Sequence, residues 1–416
     1  MESFLKYVAQ DIIQNYAKGN NTGLSDVAVV FPNKRAGLFL NEELMAQVGH
    51  TMWSPTYITI SDLFRRHSSL QVADPIKLVC DLHKTFVECT GIDETLDHFY
   101  GWGQVLIADF DDIDKNLADA KQVFTNLEDL HELDDDSFLD EEQKKILNKF
   151  FANFKDGEQS ELKERFIKLW NHLAEIYTRY NERLTNQGLA YEGALYRRVV
   201  EEKKIEFEHK TYLFVGFNMM QKVELRLYNL LKEKAECHFY WDYDEYYVDD
   251  KKSKRSIART EWNVKNEAGR YISQYLGEFD HKLADHPRHD FIYDNMKRDK
   301  DVTYICAPTE NIQARYVHDW LLQNDRYTEG RKTAIVLADE NLLQTVIHSL
   351  PQEVENNVNI TIGYPLQQTP FFSLTQHLML LQTIGHFRGT DRYRLSYIRK
   401  VLRHPYAKFL SAKTNE

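Results

Sequence analysis

The run Val27-Ala28-Val29-Val30-Phe31 constrains this chain more than any other feature. Five consecutive apolar residues, mostly β-branched or aromatic, suit a strand covered on both faces, as in a parallel sheet. The run ends in the polar loop Pro32-Asn33-Lys34-Arg35, and residues 36–48 return to helical spacing. Strand, loop and helix in that order form an α/β unit. The same order recurs. Residues 212–215 read as a strand ending in Gly216-Phe217-Asn218, and a helix follows through Val223, Leu227, Leu230 and Leu231. Residues 237–241 read as the next strand. Further on, strand 302–305, helix 310–322, strand 333–337 and helix 341–350 continue the alternation. Such alternation predicts a parallel sheet with right-handed crossovers.

The remaining segments read as helices. Phe4, Val8, Ile12 and Ile13 share a helical face until Asn20-Asn21-Thr22-Gly23 breaks it. Residues 76–155 follow a helical pattern, with acids at Asp134-Asp135-Asp136 and Asp140-Glu141-Glu142 that read as a solvated loop and helix start. Leu162, Phe166, Leu169, Trp170, Leu173, Ile176, Tyr177, Tyr180 and Leu184 form one apolar stripe, which Gly188 ends as a C′ glycine. A second helix over 191–202 follows, and 251–255 is a basic, exposed stretch. The expected organisation is therefore a first α/β lobe begun by 1–75, interrupted by a helical insertion at 76–205 and completed by 206–300. A second lobe starts at 301–385, and 386–416 begins a helical basic segment.

At 416 residues the chain is too long for one ordinary core. Its net charge of -12 excludes a uniformly basic nucleic-acid binder but leaves room for a local basic groove. Cys80, Cys89, Cys237 and Cys306 are scattered, with no CxxC pair. They read as buried free thiols in a reducing, cytoplasmic setting and not as zinc or iron–sulfur ligands. No run of about 18 apolar residues predicts a membrane span.

Several clusters invite a chemical reading. Loops at the C-terminal ends of parallel strands bind ligands, and Asn33, Lys34 and Arg35 there suit phosphates. Taken alone, the loop also fits an ordinary solvated turn. Asp109, Asp111 and Asp114 imitate a calcium loop, but Ile113 and Asp114 stand where an EF-hand needs an oxygen ligand and glycine. His281, His286, His289 and Asp290 cluster in a Pro-containing loop, and solvated loop histidines are the simpler reading. From Arg388 to the end, eight cations, among them Arg392, Arg394 and Arg399, stand against Asp391 and Glu416. Tyr393, Tyr397 and Tyr406 are interleaved, a pattern that suits a phosphate backbone and equally a solvated helix face.

Phe31, Asn33, Lys34 and Ala36 resemble motif Ia of the UvrD/RecB-type superfamily-1 helicases, aromatic-Thr-Asn-Lys-x-Ala, with Pro32 in place of the threonine. Thr59-Ile60-Ser61-Asp62-Leu63-Phe64 resembles a worn motif Ib, and the passage around Gly188 resembles the segment before motif II. The departures concern ATP. No Gly-Lys-Thr or Gly-Lys-Ser loop occurs to cradle a triphosphate. Strand 212–215 ends in Gly216-Phe217-Asn218 where motif II would supply Asp-Glu for magnesium. In the stretch resembling motif IV, Thr345 stands near the place of the arginine that meets the γ-phosphate.

That combination is similar to the N-terminal portion of AddB-like helicase–nuclease subunits, closest to the Bacteroidetes-type PD-(D/E)XK nuclease family proteins. The ordered strings Asp74-Pro75-Ile76-Lys77-Leu78, Gly101-Trp102-Gly103, Phe214-Val215-Gly216-Phe217 and Gly363-Tyr364-Pro365-Leu366 carry the resemblance together with residues 29–39, 109–114 and Thr369-Pro370. It implies a P-loop-NTPase-like fold, with superfamily-1 helicase parallel-sheet lobes and a large helical insertion. It implies a non-catalytic scaffold in double-strand-break end processing and recombinational repair, with no cofactor in this chain. A nuclease with its Asp and Glu-x-Lys is expected beyond Glu416. The implied partners are single-stranded or tailed duplex DNA and an active helicase–nuclease subunit. The implied DNA contacts are Phe31, Asn33, Lys34, Arg35, Thr59 and Ser61, with Arg392, Arg394 and Arg399 from the basic segment. A hydrolase with an unrecognised phosphate site, or a protein-docking module, are the alternatives.

Overall fold

The computed structural model describes residues 3–17, 23–124, 159–205, 208–248, 267–354 and 357–409, with the side chains of 159–171 outside the description. The acidic stretch at 134–142 and the basic stretch at 251–255 lie outside the described residues, as do the side chains of the first four residues of the long apolar stripe. The chain divides into two units, Met1–Asp299 and Lys300–Glu416.

The first unit is α/β. Helix α1 (Phe4–Tyr16) leads to β1 (Val27–Phe31), α2 (Lys34–Gln47), β2 (Thr56–Thr59) and α3 (Ile60–Arg66). A helical layer follows: α4 (Pro75–Thr90), α5 (Leu96–Lys115), α6 (Gln159–Asn186) and α7 (Glu192–Glu202), stapled by the two-residue strands β3 (Gln71–Val72) and β4 (Leu189–Ala190). The chain then returns through β5 (Thr211–Val215), α8 (Lys222–Lys232), β6 (Glu236–Tyr240), α9 (Arg270–Glu278) and α10 (His289–Tyr293).

The main sheet has order β2-β1-β5-β6, parallel throughout. Central strands β1 and β5 are buried at every residue, which is why their sequences run apolar without alternation. Period two still governs which face each side chain serves. Ala28, Val30, Tyr212, Phe214, Phe239 and Trp241 enter one core with α3, α7, α8 and α9. Val29, Phe31, Leu213, Val215 and Tyr240 enter the other with α1, α2 and residues 283–293. A third core holds α4, α5 and α6, where Leu173, Ile176, Tyr180 and Leu184 of the apolar stripe are all buried. Gly188 stands at φ 71° just past α6, in the left-handed region where a Cβ is penalised.

In the second unit, α11 (Glu310–Leu322), α12 (Leu343–Ile347), α13 (Pro370–Leu380) and α14 (Leu395–Leu402) are helical. The expected strands at 302–305 and 333–337 do not form. Tyr304 is 93% exposed and Val336 89% exposed. The composition is strand-like, but a strand exists only where a neighbour supplies its hydrogen-bond partners. Among the described residues of this unit the only β pairing is the isolated antiparallel bridge His386–Tyr393. Thr333 is instead drawn into the preceding turn, its N–H donating to Gly330 O and its hydroxyl to Arg326 O. Among the described residues no helix is long and apolar enough to cross a membrane. The expectation of uniformly buried thiols also needs correcting. Cys237 is buried, Cys80 and Cys89 are half-buried, and Cys306 is exposed, because its segment lacks the sheet that would cover it.

Candidate nucleic-acid interface

Parallel pairing of β1 with β2 sets Phe31 opposite Thr59. Two segments 28 residues apart in the chain thus end at the same sheet edge. At the end of β1, Asn33 is the N-cap of α2, its side-chain oxygen accepting from the N–H groups of Arg35 and Ala36. Lys34 follows, 81% exposed at its side chain, with Nζ 3.8 Å from Asp62 Oδ2. At the end of β2, Thr59 caps α3 in a reciprocal capping box with Asp62. The Thr59 hydroxyl accepts from Asp62 N at 3.0 Å and donates to Asp62 Oδ2 at 2.8 Å. That hydroxyl, chiefly, holds the Asp62 carboxyl below its ordinary range, assisted by the Thr59 N–H and Lys34.

Behind this edge lies a polar network that ties the sheet to the helical layer. Glu192 Oε1 accepts from Ser61 Oγ at 3.2 Å, from Tyr196 OH at 2.8 Å and from Arg65 at 3.4 Å. Its other oxygen accepts from Lys115 Nζ at 3.0 Å, and Lys115 also meets Asp111 Oδ2 at 2.7 Å. Burial by itself raises the Glu192 carboxyl, but the bonds from Tyr196, Lys115 and Ser61 outweigh it and leave the group more acidic than usual. Burial likewise opposes the Lys115 charge, and Asp111 and Glu192 outweigh it. Nearby Glu224 has no such surplus of donors, and burial holds its carboxyl above the ordinary range.

Not every expected contact reaches solvent. Phe31 is 2% exposed and packs in the core, because residue five of a fully covered strand points to the α1–α2 side. Thr59 is 7% exposed and committed to its cap. Ser61 is committed to Glu192. The expectation that these three side chains touch DNA is therefore revised. They build the edge, while Lys34, exposed, and Arg35, half-buried, stand at the start of α2. The acid behind Ser61 was missed from sequence, since 131 residues separate the two. The capping box at Thr59-Ile60-Ser61-Asp62 has a local signal, Thr-x-x-Asp before an apolar pair, which the motif Ib reading of this stretch passed over.

No protein-family model and no curated protein matches the chain.

The decoy sites resolve individually. Asp111 serves Lys115 and the Gly193 N–H, whereas Asp114 points into the helical core, where Tyr177, Tyr191 and Arg197 donate to it. His281 packs between Tyr243 and Tyr293, and burial lowers its pKa to about 4. His286 meets the Tyr7 ring, and His289 lies 3.4 Å from Glu245. Among the described residues no three His, Cys, Asp or Glu side chains are grouped to hold a metal.

In the second unit, Arg392 and Arg394 flank the His386–Tyr393 bridge, and the Arg394 guanidinium lies 5.6 Å from the Phe387 ring centre. Arg399 sits in the last turn of α14. All three are exposed. Ser373 Oγ lies 2.8 Å from His404 Nε2, a spacing seen in nucleophile–base pairs. Here His404 Nδ1 accepts from the Tyr406 N–H, which puts the ring proton of the neutral imidazole on Nε2. That proton points at a serine which itself donates to Pro370 O, so the pair is structural and cannot deprotonate Ser373 as arranged.

Proposed function

We propose that the chain is a non-catalytic, helicase-like DNA-binding scaffold. In this reading it holds single-stranded or tailed duplex DNA during double-strand-break end processing and recombinational repair, beside an active helicase–nuclease partner, as an AddB-like subunit would. The two lobes would then be superfamily-1 helicase lobes of P-loop-NTPase type that have lost the phosphate loop, and their setting would be cytoplasmic. The observation that supports the reading is the convergence at one sheet edge. Two segments picked out separately, residues 31–36 and 59–64, are neighbours through the Phe31–Thr59 pairing. Their rim carries Lys34 and Arg35, at the edge where open α/β sheets take ligands. Arg392, Arg394 and Arg399 supply a second cationic surface in a chain that is acidic overall.

The test is fluorescence anisotropy with a labelled single strand and a tailed duplex, across a salt series. Wild-type affinity is expected to fall linearly on a logarithmic salt axis, with a slope of about -0.7 per phosphate contacted on single strands. Lys34→Ala with Arg35→Ala should weaken binding about tenfold at low salt and flatten the slope by about 1.4. Unchanged affinity and slope in that double variant would remove the edge as the DNA site. DNA-stimulated ATP hydrolysis by the pure protein would favour the hydrolase alternative instead.

A further inference from the structure

One strand over from Lys34, the chain makes a turn whose construction does not serve the core alone. β5 lies beside β1, parallel, with Val30 opposite Phe214, so the segments that follow the two strands leave the same end of the sheet. Gly216 turns the chain at φ 72°, in the left-handed region that favours glycine, while its N–H still donates to Tyr240 O at 3.0 Å. Phe217 then drops into the core at 3% exposure, against Phe214. Met220 is buried at 6% and held at both backbone groups by one side chain. The Tyr275 hydroxyl accepts from Met220 N at 3.1 Å and donates to Met220 O at 3.2 Å. Gln221 follows as the N-cap of α8, its N–H bound by Glu224 Oε2 at 2.8 Å. Between these anchors Asn218 and Met219 stand in solvent, Met219 at 61% exposure.

Single exposed apolar side chains are ordinary and need no explanation. This one differs in being mounted. Its backbone is clamped on both sides, so little backbone entropy is lost when it is pressed against a ligand. It also follows the strand paired with the one that leads to Lys34 and Arg35, cations that suit phosphates. A thioether adapts to any aromatic face it meets, and a carboxamide offers a donor and an acceptor together.

We propose that the Asn218-Met219 tip is the base-contacting element of this edge. Met219 lies against the face of an unpaired base, Asn218 bonds that base's polar rim, and Lys34 and Arg35 hold the adjoining phosphates. The proposal rests on the nucleic-acid reading of the edge and adds the surface on which a base is stacked. Because every base has a π face, contact through Met219 is tolerant of sequence, as stacking platforms for single strands are.

The experiment places 2-aminopurine at successive positions of a labelled single strand and measures its fluorescence together with anisotropy, using the whole chain. In the wild-type protein one or two positions should change fluorescence on binding. Met219→Ala should lower affinity about two- to twelvefold, the range of a sulfur–aromatic contact, with the salt slope unchanged. It should also abolish the 2-aminopurine signal, and Met219→Trp should restore both. Lys34→Ala with Arg35→Ala should flatten the salt slope instead. If that double variant weakens binding while Met219→Ala and Asn218→Ala leave affinity and fluorescence unchanged, the tip proposal is overturned and the edge reading stands. If neither set alters binding, both fail together. Asn218 and Met219 are solvent-exposed, so circular dichroism and thermal unfolding matching wild type will confirm that the fold of their variants is intact.

Discussion

Glu192 is the residue on which the junction between sheet and helical layer most depends, and its removal has a calculable cost. The Lys115 bond joins a carboxylate to an ammonium whose side chain is only 15% exposed, a contact worth about 1–2 kcal/mol net. The Ser61 and Tyr196 hydroxyls add about 0.5–1 kcal/mol each. The Arg65 contact, at 3.4 Å from a half-exposed guanidinium, is set near zero. Glu192→Ala should therefore destabilise the first unit by about 2–4 kcal/mol, or roughly 4–12 °C of midpoint for a unit this large. Glu192→Gln keeps one oxygen for Ser61 and Tyr196 but turns a donor toward Lys115, so it should cost about 1–2 kcal/mol. The assay is urea and thermal unfolding, followed by near-ultraviolet circular dichroism, for these two variants, Lys115→Met and Lys115→Met with Glu192→Gln. The double variant should be milder than the sum of its singles by about 1 kcal/mol. Acid provides a second check. The folded Glu192 carboxyl is more acidic than the unfolded one, so its contribution is complete above the unfolded glutamate range. It shrinks as pH falls through the folded value, and wild type and Glu192→Gln should converge there. Strict additivity in the cycle, or an alanine variant within about 0.5 kcal/mol of wild type, would refute the account of this junction.

Three further outcomes follow from the same structure. Both ring nitrogens of His238 face acceptor-only carboxylates, Asp280 at 2.5 Å and Glu236 at 2.8 Å, and chiefly the Asp280 bond raises its pKa. The charged ring's stabilisation is complete below the unfolded value of about 6.5 and is lost as pH rises through the folded value. His238→Gln should thus cost about 1 kcal/mol at pH 6 and clearly less at pH 9, read as urea midpoints; equal losses at both would reject the clamp. Burial raises the Asp114 carboxyl despite bonds from Tyr177, Tyr191 and Arg197, so wild-type stability should decline as pH rises from the unfolded aspartate range through the folded value. Asp114→Asn should remove that slope at a cost under about 1 kcal/mol, whereas Asp114→Ala, which takes the shared acceptor from Tyr177, Tyr191 and Arg197, should cost about 3 kcal/mol; a pH-independent difference between wild type and Asp114→Asn contradicts this. A Cβ on Gly193 would meet the Asp111 carbonyl oxygen at 2.5 Å, so Gly193→Ala should push α7 off α5 and cost about 1–3 kcal/mol. Gly101→Ala, on the same α5 with open space around it, should gain about 0.5–1 kcal/mol by helix propensity, and calorimetry that ranks the two the other way disproves the packing argument.

How much of the fold is legible in the sequence has a physical cause. β1 and β5 were legible because strands covered on both faces must be apolar whatever their neighbours are, and β6 through its buried Phe239-Tyr240 end. The edge strand β2 was not, since Thr56–Thr59 is only half-covered and half-polar. β3 and β4, two residues each and paired across 118 positions, left no periodic signal at all. Residues 302–305 and 333–337 carried the composition of strands and remain unpaired, because composition sets what a segment tolerates and pairing depends on a distant partner. At the candidate site, the Asn33-Lys34-Arg35 loop was visible, but the burial of Phe31, the capping duty of Thr59 and the grip of Glu192 on Ser61 were not.

Local chemistry therefore came from the chain alone: which segments are helices, where Asn33 and Gly188 punctuate them, and that the first unit is α/β. The order β2-β1-β5-β6, the meeting of Phe31 with Thr59, and the clamping of Met220 by Tyr275 were decided by tertiary structure. Periodicity and capping act over one or two turns and are written in consecutive residues. Strand order and the pairing of Glu192 with Lys115 arise from packing between segments whose separation no local pattern encodes.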